Sequence, residues 1–193
     1  GFAGSLEPTE PPGSTMKTLD EVEPRTVLNQ DNTPGSSYYQ FIISQPGSYI
    51  LTENVSTTKG GIAVLTDDVT IDLQGFKLTC TNHSISRSGI YGSEIDNVEI
   101  RNGSVEGFYS GISFASANTS NIKITGLKAI NNRYDGIFTY GYTSPDYDGG
   151  GFIITDCIAE NNGDKGFSIG SAAVVSRCVA RNNQGNGLAG DTS

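Results

Sequence analysis

Apolar residues recur along this chain on two scales. On the short scale they alternate. In VTIDLQG from Val69, VEIRNGS from Val98, IKITGL from Ile122 and FIITDC from Phe152, apolar side chains take alternate positions. Val69, Ile71 and Leu73 fall on one side and Thr70 and Asp72 on the other; Val98 with Ile100, and Ile122 with Ile124, repeat the pattern. Period-two alternation predicts strands with one buried face. On the long scale a Gly–apolar pair opens each unit, at Gly61, Gly89, Gly111, Gly136, Gly166 and Gly187, with spacings of 28, 22, 25, 30 and 21 residues. The last units nearly copy one another: DCIAENNGDKGF starts at Asp156 and RCVARNNQGNGL at Arg177.

Units this short, with short strands and no helical run, leave too little chain for strand–helix–strand crossovers. Antiparallel hairpins would not keep register from unit to unit. A coil that rises one strand spacing per turn satisfies both scales, so the pattern predicts an all-β fold: a single parallel β-helix of about six coils. Its register puts Ile62, Ile90, Ile112, Ile137 and Phe167 inside, and Ala63, Tyr91, Ser113, Phe138 and Ser168 outside. The doubled Asn at 131/132, 161/162 and 182/183 then stack at one corner, with Asn161 expected in a hydrogen-bonded ladder. Residues 40–55, around Pro46–Gly47, read as a strand pair capping the N-terminal end. The chain divides into an extended Pro-rich arm, 1–37, and a β-helix domain, 38–193. After Gly187 the sequence stops within a coil, an edge for further chain or a second subunit to cover.

Composition narrows the picture. A net charge of -9 argues against nucleic acid and anionic membrane surfaces, which need basic patches. No run approaches the roughly 18 apolar residues of a membrane span. The 3 Cys cannot all pair with one another. Cys157 and Cys178 hold the same place in the copied units; adjacent strands are close enough for a bond, while parallel side chains favour buried free thiols.

The segments TMKTLDEVEPRT (15–26), FIISQPGSYILTENV (41–55), DDVTIDLQGFKLT (67–79) and NVEIRNGSVEGF (97–108) resemble secreted bacterial right-handed parallel β-helix repeat proteins of the pectate-lyase-like superfold. The resemblance runs from about Ser14 onward. It implies a right-handed solenoid and a secreted, extracellular protein whose signal peptide has been removed. It also implies that any polysaccharide would lie along the outer side of one strand column. It does not carry an activity: the GHG, RIK and YGFDPH motifs of enzymes on this scaffold are absent.

The outward column Ala63–Tyr91–Ser113–Phe138–Ser168, continued by Leu65, Ser93, Ala115, Tyr140 and Gly170, holds no titratable group. Glycoside hydrolysis needs two carboxyl groups about the bond, and elimination needs a base. Candidate chemistry is therefore confined to two places. The insertion TYGYTSPDYDGG (139–150) carries Tyr140, Tyr142 and Tyr147, with Asp146 and Asp148 spaced as in the opening of a calcium loop. The corner before each unit's Gly carries Arg87, Tyr109, Arg133, Tyr134, Asp135, Asp164 and Lys165. Tyr91, Tyr134, Phe138, Tyr140, Tyr142 and Tyr147 are the candidate ligand-binding residues, since aromatic faces among polar groups suit sugar rings. Asp135, Arg133 and Lys165 are the candidate catalytic groups and Asp146 and Asp148 the candidate metal ligands; no cofactor is expected, with calcium at that Asp pair as the alternative. The leading reading is a non-catalytic module for polysaccharide recognition or surface assembly, and the competing one a polysaccharide lyase or glycoside hydrolase. A second copy of the chain would sit on the aromatic strip or the open C-terminal edge.

Overall fold

The computed structural model describes residues 25–139, 150–170 and 172–190, wound as a parallel β-helix of about six turns. Three faces run its length. The first stacks Tyr39–Ile43, Gly60–Val64, Ile90–Gly92, Ile112–Phe114, Ile137–Thr139, Phe167–Ile169 and Leu188–Gly190. The second stacks Arg25–Val27, Gly47–Ile50, Val69–Asp72, the leading halves of Asp96–Glu106 and Ser120–Ile130, then Phe152–Thr155 and Ala173–Ser176. The third takes Val55–Thr57, Lys77–Cys80, the trailing halves of the same two long strands, Ile158–Glu160 and Val179–Arg181. The strand pair expected around Pro46–Gly47 is present, with one strand on the first face and the other on the second.

Like residues stack on like because the coils are in register. Phe41, Ile62, Ile90, Ile112, Ile137 and Phe167 form one inward column. Tyr49, Ile71, Ile100, Ile124 and Ile154 form the second. Leu78, Val105, Ala129 and Ala159 form the third, and all these side chains are buried. Ile124 is 0% exposed and is paired in register with Ile100 and Ile154. We expect Ile124→Val, which removes one methylene here, to cost about 1 kcal/mol in denaturant unfolding; no loss would mean the side chain does not point inward.

The solenoid begins earlier than residue 38. Arg25–Val27 adds a strand to the second face, Leu28 is 4% exposed in the core, and Pro34 bridges Phe41. In sequence, 1–37 reads as an arm without core because it is rich in Pro, Glu and Thr. The pair Val27–Leu28 between polar residues is too short an apolar run to reveal a strand. Residues 1–24 lie outside the described part.

Most corners turn by a residue with left-handed backbone. Between the second and third faces these are Gln74, Asn102, Gly126, Asp156 and Arg177, with φ of 49, 57, 63, 57 and 52°. Between the third and first faces they are the leading members of the Asn pairs, Asn131, Asn161 and Asn182, with φ of 54, 56 and 55°. The ladder there is formed by the other members. Asn132 Nδ2 donates to Asn162 Oδ1 (3.0 Å) and Asn162 Nδ2 to Asn183 Oδ1 (2.9 Å). Asn161 is thus not the ladder residue: it makes the turn and faces solvent, and Asn162, 1% exposed, carries the stack. Cys157 and Cys178 are free thiols. Their Sγ atoms lie 3.2 and 3.3 Å from the carbonyls of Thr155 and Ser176, and burial pushes the Cys157 thiol up to about 12.

Candidate functional site

Sequence position relative to the unit Gly decides what the corner between the third and first faces displays. Residues two before that Gly stack outward: Arg87, Tyr109, Tyr134 and Asp164. Main-chain bonds link them coil to coil, Tyr109 N to Arg87 O (3.0 Å), Tyr134 N to Tyr109 O (2.6 Å) and Asp164 N to Tyr134 O (3.0 Å). The Tyr109 and Tyr134 rings stack at 5.3 Å and 12°, and the Arg133 guanidinium lies 5.6 Å from the Tyr109 centroid. Such offset stacking and cation–π contact hold rings upright on a surface. Tyr134 hydrogen-bonds the Asp164 carboxylate; that charge, then that of Asp135, pushes the Tyr134 hydroxyl above its ordinary range.

In the second, third and fourth units the residue one before the Gly turns under the corner, Ser88, Ser110 and Asp135 being 7, 4 and 1% exposed, whereas Lys165 at the same place in the next unit is half-buried. Asp135 Oδ1 accepts the Lys165 main-chain N–H at 3.0 Å, while its Oδ2 is buried without a partner. Burial pushes the carboxyl above the usual carboxylate range; Asp164 adds to this, and the Lys165 N–H and ammonium oppose it. The three candidate catalytic groups are therefore neighbours in sequence and register but not a reactive set. Asp135 is closed off from solvent, Arg133 is exposed and donates to the His83 carbonyl at 3.0 Å, and Lys165 meets Asp135 through its main chain.

The first face continues the site. Tyr91, Ser113, Phe138 and Ser168 stand in one outward column, as the alternation predicts. Two residues that sequence reasoning missed join it. Tyr39 stacks on Tyr91 at 5.9 Å and 24°, and the Arg87 guanidinium lies 4.8 Å from the Tyr38 centroid. Gly60 makes room between them, since a Cβ there would stand 2.5 Å from the Tyr39 ring. Tyr38 and Tyr39 precede the first Gly–apolar unit, so the repeat gave no register for them. Lys59, two before Gly61, takes its place by the same rule as Arg87, and its Nζ donates to Ser36 O at 2.6 Å. Tyr140, Tyr142, Tyr147, Asp146 and Asp148 lie outside the described residues. Among the described residues no group of three or more His, Cys, Asp or Glu is placed to hold a metal.

Charge is distributed unevenly around the prism. On the second face Arg101 pairs Asp72 (2.9 Å) and Lys123 pairs Glu99 (3.1 Å). On the third, Lys77 pairs Glu106 (2.8 Å) and Arg181 pairs Glu160 (2.6 Å); at the corner between these faces Arg177 pairs Asp156 (2.7 Å). Among the described residues, Lys59, Arg87, Arg133 and Lys165 on the aromatic edge have no carboxylate within 4.0 Å, and neither has Lys128 on the third face. The edge thus offers cations that meet no described carboxylate, set between upright aromatic rings, while most described cations of the other two faces are paired with carboxylates.

The family described as right handed beta helix region matches residues 41–193. No curated protein matches the chain, and no solved structure does.

Proposed function

Because the chain belongs to the right-handed β-helix family, whose fold leaves function to surface residues, we propose that it is an extracellular recognition module for an anionic polysaccharide. The chain bound would lie along the edge formed by Arg87, Tyr109, Arg133 and Tyr134 with Tyr91 and Phe138 beside it. One observation carries this reading: the edge concentrates cations without carboxylate partners and interleaves them with aromatic rings. Sugar rings present apolar C–H faces to aromatics, and uronate or sulfate groups accept from a guanidinium fork. Coils rise about 4.8 Å each, so the cations are spaced for a linear polymer laid parallel to the solenoid axis.

The test is binding of a polyuronate, a sulfated glycan and their neutral counterparts, with reducing ends and unsaturated products followed with and without calcium. The expected result is binding of an acidic polymer alone, weakened by salt, with no product formed. Arg87→Gln and Arg133→Gln should each weaken binding about tenfold, the loss of one charged hydrogen bond, while melting temperature stays unchanged because both side chains are exposed. Equal binding of neutral polymers would refute the anionic class. Product formation would make the protein an enzyme, and absence of any binding would turn the edge into an assembly surface.

A further inference from the structure

Asp135 is the one described side chain with a buried oxygen that nothing satisfies, and it lies directly under the proposed binding edge. Around it at the corner stand Asp164 and Lys165 from the following coil, Arg133 and Tyr134 from its own, and Tyr109 from the preceding one; His83 lies behind Arg133. Lys165 touches it once, through the main-chain N–H that Oδ1 accepts; its ammonium bridges no described carboxylate and acts on Asp135 from beyond contact. The ammonium is therefore shared in prospect between the buried carboxylate and any anion on the edge.

We propose that Asp135 links a proton to ligand binding: an anionic glycan that recruits Lys165 removes the charge compensating Asp135, and Asp135 takes up a proton in return. The inference rests on the proposed anionic ligand and names how its binding is regulated. A carboxylate with one hydrogen bond and a bare buried oxygen is costly, and the neutral carboxyl much less so. Protonating Asp135 frees Lys165, and reciprocity requires that binding through Lys165 favours the proton. Affinity consequently rises as pH falls through the Asp135 titration. The unliganded fold follows the same sign. With its folded midpoint raised, Asp135 supports the folded state fully below the ordinary carboxyl range, and that support is lost as pH rises through the raised midpoint.

The experiment has a liganded and an unliganded arm. In the first, oligogalacturonate binding is titrated between about pH 4 and pH 8 for the wild type and Asp135→Asn, which keeps the acceptor for the Lys165 N–H. One linked proton gives the wild type up to about a tenfold gain in affinity per pH unit lost, and Asp135→Asn should bind near neutrality as the wild type does in acid. In the second, the Asp135 carboxyl is titrated by carbon NMR without ligand, and Lys165→Gln should move its midpoint upward. An Asp135→Asn protein that keeps the wild-type slope overturns the proposal. An unmoved midpoint in Lys165→Gln overturns it too. No binding at any pH refutes the anionic-ligand reading itself, and with it the linkage to ligand, whatever the unliganded titration shows.

Discussion

Replacing Asn162 by Ala should cost about 3–5 kcal/mol, while Ala at Asn161, its neighbour in the chain, costs about 1. Asn162 Oδ1 accepts both the main-chain N–H of Asn132 and its side-chain amide, each at 3.0 Å. Its Nδ2 donates to the Ala129 carbonyl at 3.1 Å and to Asn183 Oδ1 at 2.9 Å. Ala would leave the Asn132 N–H without an acceptor, take the amide donor from the Ala129 carbonyl, and open space beside them. Asn132 and Ala129 are 2 and 1% exposed, so water does not reach either group in compensation. Each buried orphan costs about 1–3 kcal/mol, and two of them set the scale. For a chain of this length the loss lowers the melting temperature by about 10 °C. Asn161, by contrast, is exposed and contributes its left-handed φ of 56°. Asn161→Gly should be close to neutral, since Gly adopts that backbone without strain. Equal losses at 161 and 162 would show that the stack does not hold the corner.

That pair marks where sequence stops being informative. The repeat, the inward Ile column and the outward Tyr91–Ser113–Phe138 column follow from alternation, which has only two phases. A doubled Asn has two assignments of equal chemistry: either residue can take the left-handed turn, and the other then points inward. Nothing in the composition of NN distinguishes them. The structure does so because the second Asn is the one whose amide reaches the coils on either side. The corner residues Arg87, Tyr109 and Tyr134 were legible for the opposite reason, since the unit Gly fixes their phase. Asp135 belongs to the same register but one position later, where the chain has already turned under the corner. Sequence gave its place without its burial. The pairing state of each cation was not legible either, because partners such as Asp72 and Arg101, or Asp156 and Arg177, are more than 20 residues apart and meet only once coils stack.

The Gly of each unit invites the explanation that it supplies unusual backbone, and the structure points elsewhere. Gly89, Gly111, Gly136 and Gly166 do not have left-handed φ; what they supply is room. A Cβ on Gly136 would stand 2.6 Å from the Gly166 carbonyl oxygen, 2.8 Å from Asn162 Nδ2 and 2.9 Å from Ala159 Cβ. None of these can retreat. The Gly166 carbonyl accepts the Ile137 N–H at 3.0 Å, and Asn162 Nδ2 is held by the ladder. Gly136→Ala should therefore cost about 3 kcal/mol or more, at or beyond the upper end for an added methyl in a packed site, although helix and strand propensities alone would favour Ala. Gly187→Ala is the matched control. There the nearest atom to an added Cβ is Ala180 Cβ at 3.2 Å, with no carbonyl or ladder amide in contact, and the change should be nearly neutral. Because Gly136 and Asn162 meet at one corner, the double variant Gly136→Ala with Asn162→Ala should lose less than the two single losses combined. Once the Asn162 amide is gone, the added methyl gains part of the space it lacked. Strict additivity would place the two defects in separate parts of the coil and would contradict the contact that explains why each unit opens with Gly.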